Sequence, residues 1–158
     1  MRGPTRYLTV IVIALAVPAF LGAAAWGGEP LSKKKFLKQG NAICEEANEQ
    51  IGALADDTFA LYTEDDEVPP EVLETFAAGI VPIFRQAIAD IDALEPPTKD
   101  ARKVQKIVDA YTEALDAIEA DPSSFASRSS GGEDPFKKPN KLAPRYGLKK
   151  CAEGVHKD

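Results

Sequence analysis

Cysteine and histidine carry the most reactive side chains in this 158-residue sequence, which contains Cys44, Cys151 and His156. Such residues can form a disulfide, hold a soft metal ion or act in nucleophilic catalysis. A metal site would need further nitrogen or sulfur ligands that the sequence does not offer, and one histidine in a C-terminal tail does not make a catalytic arrangement. The two cysteines are most simply explained as one disulfide, formed in an oxidising compartment.

A basic stretch near the C-terminus is a candidate binding site. It contains no acidic residue, and its cations are Lys137, Lys138, Lys141, Arg145, Lys149 and Lys150. One interpretation is a contact with an anionic polymer of the cell envelope or with lipid headgroups. The alternative is structural, with the basic tail lying across the acidic helices of its own domain. The structural alternative needs no additional partner, and both interpretations stay open at this point.

Carboxylates concentrate in the segment 56–67. Oxygen ligands suit calcium, but the spacing does not match a calcium-binding loop, so we expect a solvated helix end and turn. Asp109 and the stretch Asp90 to Asp92 would support an enzyme only if the fold brought two carboxylates into one apolar cleft. Nucleophile-elbow, phosphate-loop and HExxH motifs are absent from the sequence. We therefore predict no catalytic residue, no metal ligand and no cofactor, and a protein that is not an enzyme.

Three segments carry apolar residues at alternating three- and four-residue steps, the spacing that places them on one face of an α-helix. They run from Ser32 to about Thr63, from Pro70 to about Leu94 and from Thr98 to about Ala120. Gly79 and Pro82 interrupt the second segment and predict a kink or a short break near residues 80–82. Short connections between amphipathic helices favour antiparallel neighbours in a bundle.

The composition changes to serine, glycine, proline and lysine after the third helix, which predicts a mobile loop over about residues 123–140. Beyond it, Leu142, Tyr146 and Leu148 would form a short helix or turn that closes the bundle. The predicted fold is all-α, an antiparallel three- to four-helix bundle closed by one disulfide. Because the disulfide would close a loop of more than a hundred residues, it would stabilise the fold by about 4–5 kcal/mol.

The N-terminus has the three parts of a secretory signal. Arg2 and Arg6 provide the cationic start, an apolar stretch begins at Tyr7, and small residues precede a cleavage site after Ala25. The apolar stretch continues to Trp26, long enough to span a bilayer, so retention as a membrane anchor is the alternative. We expect residues 1–25 to be a signal or an anchor and residues 26–158 to form one exported domain, secreted or membrane-anchored.

Charge and aromatic content narrow the possible partners. The formal net charge is −6 at pH 7, which disfavours a nucleic-acid partner. Several aromatic residues could line a pocket for an apolar ligand between helices, although core packing is their default role. They are Phe36, Phe59, Tyr62, Phe76, Phe84 and Tyr111.

Two cysteine-containing segments carry a resemblance to a known group of proteins. The segments are Gln39–Asn48 (QGNAICEEAN) and Tyr146–Cys151 (YGLKKC), together with the Leu94–Pro97 join between helices. This pattern resembles small exported or lipid-anchored helical proteins of high-GC Gram-positive bacteria. The resemblance spans most of the mature chain, implies the same cysteine pairing and implies no activity. Many such proteins carry a lipid-attached cysteine directly after the signal, whereas this chain has no cysteine there.

The sequence therefore predicts a binding or interaction module outside the cytoplasm, at the cell envelope. Its partner would be an envelope protein or polymer, with membrane anchorage through the N-terminal segment as a further possibility. The alternative is a carrier of a small apolar ligand in the bundle core. A carrier would need an enclosed apolar cavity beside the stretch from Gly79 to Pro82.

Overall fold

A computed structural model of the protein describes residues 29–63, 65–126 and 133–153. These residues form helices and no strand. The helices are α1 (Lys33–Thr58), α2 (Pro70–Asp92), α3 (Ala101–Ala120), α4 (Ser123–Ala126) and α5 (Lys137–Tyr146), followed by a 3₁₀ turn (Lys150–Ala152). The predicted all-α bundle closed by one disulfide is confirmed. The predicted signal or anchor at residues 1–25 lies outside the described residues.

Local sequence signals explain where the helices begin and end. The Ser32 side chain caps α1 by accepting a hydrogen bond from the Lys35 N–H at 3.3 Å. α2 begins at Pro70, because proline is tolerated in the first turn of a helix. α5 ends at Tyr146, and the next residue, Gly147, has a φ of 116°, the left-handed conformation that commonly terminates helices. α1 ends at Thr58, before the predicted end at Thr63.

α2 is continuous through Gly79 and Pro82, so the short break considered for this segment does not occur. A Cβ added to Gly79 would lie 2.8 Å from a methyl carbon of Leu54. The glycine therefore allows α1 to pack closely against α2. Pro82 has no backbone N–H, so the carbonyl of Ala78 receives no helical hydrogen bond from it. Both residues are exposed, and this carbonyl can bind water instead. Gly79 and Pro82 are thus accommodated without interrupting the helix.

The core is formed by α2 together with the facing sides of α1 and α3, and the C-terminal part of the chain closes it. By length and composition alone, α2 could also cross a membrane. Core helices of soluble proteins meet the same criterion, and eight α2 residues are buried here. They are Phe76, Ala77, Ile80, Val81, Phe84, Ala87, Ile88 and Ile91.

The structure differs from the predicted loop over residues 123–140 at both ends of that segment. α4 occupies its start, and α5 begins at Lys137. Phe136 is fully buried, with its ring 5.1 Å from that of Phe84 and 6.4 Å from that of Tyr111. Burial of one aromatic side chain removes a large apolar surface from water, which outweighs the weak helix propensity of the surrounding residues.

One face of α1 attaches the C-terminal segment, which we define as residues 147–151. The residues of α1 that hold this segment are Asn41, Cys44 and Asn48, and we call them the α1 clamp. The Cα atoms of Cys44 and Cys151 lie 4.8 Å apart in the predicted disulfide. The amide nitrogen of Asn41 donates to the Gly147 carbonyl at 3.0 Å and to the Leu37 carbonyl at 2.8 Å.

Further hydrogen bonds surround the same disulfide. The amide oxygen of Asn41 accepts from the Lys150 N–H at 2.9 Å, and the amide nitrogen of Asn48 donates to the Lys150 carbonyl at 2.7 Å. The Tyr111 hydroxyl of α3 donates to the Cys151 carbonyl at 2.7 Å. The QGNAICEEAN segment is therefore an attachment site for the end of the chain.

Asn41→Ala should lower the free energy of unfolding by about 1–3 kcal/mol, because the Lys150 N–H and the Gly147 carbonyl lose partners in a partly buried place. Urea unfolding followed by circular dichroism measures the effect. Gln39→Ala, at an exposed position of the same helix, is the control and should change the value by less than about 0.5 kcal/mol. Equal midpoints for the two variants would contradict the role assigned to the clamp.

The double variant Cys44→Ser/Cys151→Ser should be less stable than the wild type by at most about 4–5 kcal/mol, because the disulfide spans 107 positions and restricts the unfolded chain. The α1 clamp amides should still hold the C-terminal segment in the folded state, so the helical circular dichroism signal should persist. Guanidinium unfolding of both proteins tests this. Loss of the helical signal in native buffer would show that the hydrogen bonds alone do not hold the segment.

Candidate binding surfaces

α5 presents a row of cations on the face opposite its buried side. Pro139, Ala143 and Tyr146 are buried against the bundle. The basic row consists of the exposed residues Lys137, Lys141 and Arg145, which are spaced four residues apart. This spacing places them on one side of the helix, over about 12 Å of its length.

The structure divides the six predicted basic residues into two groups. Lys138 forms an ion pair with Glu113 at 2.5 Å, and Lys150 pairs with Glu153 at 2.8 Å and Glu45 at 3.8 Å. These two lysines agree with the structural interpretation, in which the basic stretch pairs with acidic residues of its own domain. Within the described ranges, the basic row and Lys149 have no acidic partner within 4.0 Å.

The basic row borders a surface depression of about 770 Å³. Glu133 and Asp134 also line this depression. The Asp134 carboxylate accepts a hydrogen bond from the Phe136 N–H at 3.0 Å, at the beginning of α5. The depression is therefore of mixed charge, whereas the basic row along the helix is cationic throughout.

A groove of about 560 Å³ lies between α1, α2, α4 and the 3₁₀ turn. Its floor is apolar and largely aromatic, formed by Ile51, Phe59, Phe76, Ile80, Phe84 and Phe125. The Phe76 ring lies 5.1 Å from that of Phe59 and 6.1 Å from that of Phe125. Phe59 and Phe125 are only partly buried, so the floor offers aromatic surface to a ligand.

The groove has an acidic rim, formed by Glu45, Glu49 and Asp56 of α1 and by Glu153. Lys150 is the cation among the groove-lining residues, and it is engaged by Glu153 and Glu45. Phe59, Phe76 and Phe84, which the sequence offers as candidates for a pocket between helices, line this groove. The sequence places Asp56 in an acidic turn and does not predict the acidic rim. The sequence does contain a signal for the rim, because Glu45 and Glu49 lie four residues apart on one face of α1. Only the fold shows that this face lies beside the aromatic residues of α2.

The carrier hypothesis requires an enclosed apolar cavity beside Gly79. Leu54 fills the space on the α1 side of Gly79. The depression at Pro82 lies on the surface and includes the charged residues Arg85 and Glu119. In the core next to the disulfide, a space of about 10 Å³ remains, which is at the lower limit for one water molecule.

The carboxylates singled out for catalysis are exposed and separate. Asp90 accepts a hydrogen bond from Gln86 and Asp109 accepts one from Gln105, each at 2.9 Å along its own helix. Asp92 is also exposed. The apolar cleft that an acid and base pair would need is therefore not formed by these residues.

The acidic segment 56–67 is described except for residue 64. Its Asp66 carboxylate accepts hydrogen bonds from the backbone N–H and the hydroxyl of Thr63 at 2.7 and 2.8 Å. These bonds lower the pKa of Asp66, with the backbone bond contributing most. In the described part of the chain, no group of three histidine, cysteine or acidic side chains could hold a metal ion. His156 lies outside that part.

Asp100 is a buried carboxylate that sequence reasoning missed. It is 4% exposed, directly before α3, with the Lys103 ammonium at 3.3 Å and the Lys33 ammonium at 4.0 Å. Burial raises the pKa of Asp100, but the hydrogen bond and charge of Lys103, with the charges of Lys33 and Lys99, outweigh it and lower the pKa.

Tyr146 completes the surroundings of Asp100. Its hydroxyl donates to the Asp100 carboxylate at 3.4 Å, and the Lys33 ammonium lies 4.6 Å from the centre of its ring. Burial, together with the charge and hydrogen bond of Asp100, raises the pKa of Tyr146 to about 12. This cluster joins the beginnings of α1 and α3 to the end of α5, which is a structural role.

The chain matches no family model, no curated protein and no solved structure. The resemblance to exported proteins of high-GC Gram-positive bacteria therefore stays a prediction.

Asp100→Asn should lower the urea midpoint at pH 7, because Lys33 and Lys103 lose their anionic partner. The pKa of Asp100 is lowered by folding, so its contribution is present above pH 4 and is lost as the pH falls through the folded value. The urea midpoints of the wild type and the variant should therefore differ less at pH 3 than at pH 7. Spectrophotometric titration should also show a lower pKa for Tyr146 in the variant. A constant stability difference between pH 3 and pH 7 would contradict this assignment.

Proposed function

We propose that this protein is a binding module of the cell envelope, located outside the cytoplasm, which docks on an anionic membrane surface through the basic row of α5. The observation that carries the proposal is the difference between paired and unpaired cations. Lys138 and Lys150 have acidic partners, whereas Lys137, Lys141 and Arg145 have none in the described structure.

The basic row is costly to the isolated domain. Like charges four residues apart on a helix destabilise it by about 0.2–0.5 kcal/mol per pair, and α5 contains two such pairs. Pro144 within the helix weakens it further. A contact with an anionic surface would offset this cost, whereas the structural alternative leaves the row unpaired.

The uneven charge of the domain favours one orientation on such a surface. The chain has a net charge of −6, so an anionic membrane would repel the acidic helices and attract the basic row. Each lysine or arginine near an anionic membrane contributes about 1 kcal/mol, so three of them give weak, reversible attachment. The apolar N-terminal segment, if retained, would supply the second anchor that stable attachment needs.

The expected compartment is consistent with the disulfide. The sulfurs of Cys44 and Cys151 are bonded in the fold, and the described residues contain no free cysteine. Such pairs persist in oxidising compartments outside the cytoplasm. This supports export, which the signal-like N-terminus predicts.

Vesicle binding tests the docking proposal. The purified protein is mixed with vesicles of phosphatidylcholine alone or with 30% phosphatidylglycerol, and sedimentation measures the bound fraction. The apolar N-terminus can insert into both vesicles, so the difference between them reports the electrostatic contact. We expect tighter binding to the anionic vesicles, with the difference disappearing at high salt.

Lys137→Ala/Lys141→Ala/Arg145→Ala should weaken binding to the anionic vesicles by about 100-fold, because three cations are removed. Lys99→Ala/Arg102→Ala/Lys106→Ala is the matched control, since these exposed residues lie just before α3 and in its first two turns. It should retain most of the wild-type preference for anionic vesicles. Equal losses in both triple variants, or binding to soluble polyphosphate but not to vesicles, would overturn the proposal.

A further inference from the structure

Gly52 is a helix-interior glycine that packing does not require. A Cβ added at this position meets no atom within 4 Å. At Gly40 the added Cβ would lie 2.6 Å from Leu148, and at Gly79 it would lie 2.8 Å from Leu54. Those two glycines allow close contacts between elements, whereas Gly52 lies beside open space. Because glycine destabilises a helix interior relative to alanine, its presence here calls for another reason.

The open space beside Gly52 is the groove described above, whose floor is largely aromatic. Its volume of about 560 Å³ falls within the range of small-molecule sites, roughly 300–1,000 Å³. A larger side chain at position 52 would extend into this space. The absence of a side chain therefore keeps the groove wide at the middle of α1.

The rim determines the charge that the groove would accept. Glu45, Glu49 and Asp56 lie on the same face of α1 as Gly52, because steps of three, four and seven residues return to one side of a helix. Glu49 and Asp56 have no ion-pair partner within 4.0 Å among the described residues. With Lys150 already engaged by Glu153 and Glu45, the rim is negative above an apolar floor.

We propose that this groove binds a small amphiphilic organic cation, whose apolar body lies on the phenylalanine rings and whose ammonium group lies against Glu49 and Asp56. Aromatic faces also attract cations, which adds to the same selectivity. Apolar anions such as fatty acids would meet the carboxylates of the rim and be repelled. The site is separate from the basic row of α5, so it goes beyond the docking function proposed above.

Two probes of opposite charge, whose alkyl chains differ by one methylene group, test the selectivity. The purified protein is titrated with decyltrimethylammonium and with decanoate, each below its micelle concentration, and calorimetry measures both affinities. We expect the ammonium compound to bind at least tenfold more tightly than decanoate. Equal affinities would overturn the proposal, because the charge of the rim would then have no influence on which ligand binds.

Gly52→Leu tests the location. The leucine side chain should fill the groove and lower the affinity for decyltrimethylammonium at least tenfold. The thermal midpoint should stay equal to that of the wild type or rise, since leucine is a better helix former than glycine. Gly52→Ala is the control with a small side chain, and it should retain most of the affinity. Unchanged affinity in the leucine variant would place the site elsewhere.

Glu49→Gln/Asp56→Asn tests the rim. This variant should bind the ammonium probe several-fold more weakly and lose most of the discrimination against decanoate. The matched control is Glu46→Gln/Asp57→Asn, which removes two exposed carboxylates of α1 that do not line the groove. Equal effects of the two variants would indicate a general effect of net charge and overturn the assignment.

Other occupants of the groove give different results. If the chain's own residues 154–158 occupied it, their deletion would increase the affinity for both probes equally, which contradicts a charge-selective ligand site. If a second copy occupied it, Gly52→Leu would abolish concentration-dependent dimers and the probes would not bind. The triple variant of α5 should bind both probes as the wild type does, so failure of the docking proposal leaves this test unaffected.

Discussion

The attachment of residues 147–151 to α1 is the constraint on which the rest of this structure depends. It combines the Cys44–Cys151 disulfide with the hydrogen bonds of Asn41 and Asn48 to backbone groups of that segment. On the other side, the Tyr111 hydroxyl of α3 binds the Cys151 carbonyl. The segment therefore joins the first and third long helices, and because it follows α5 directly, it also holds α5 against the bundle.

The position of α5 has electrostatic consequences. With Tyr146 buried beside Asp100, the opposite side of α5 must face solvent, and that side carries the basic row. The C-terminal segment also brings Lys150, and Glu153 directly after it, to the rim of the groove. The basic row and the acidic groove are thus formed by different elements, but both depend on the attachment of the C-terminal segment to α1.

The two proposals describe compatible activities. An anionic membrane concentrates organic cations near its surface as well as basic proteins. A domain held there by the basic row would meet amphiphilic cations at a higher local concentration than in bulk solution. The groove would then select them by its aromatic floor and its carboxylates, so the opposite charges of the two surfaces would serve different partners.

The sequence by itself determined the elements and their covalent closure. Helical spacing identified α1, α2 and α3, because amphipathic periodicity is a local property, and the pair of cysteines was enough to predict the disulfide. It also identified the basic stretch as a unit. It did not show which members of that stretch pair with acids, because the pairing partners lie on other helices.

Only the tertiary structure distinguished residues that look alike in the sequence. Gly40 and Gly52 both lie within α1, yet one contacts Leu148 from the far end of the chain and the other faces open space. Phe136, within a segment of loop-like composition, is buried because Phe84 and Tyr111 surround it. Such roles depend on contacts between residues that are distant in sequence, and local periodicity carries no information about those contacts.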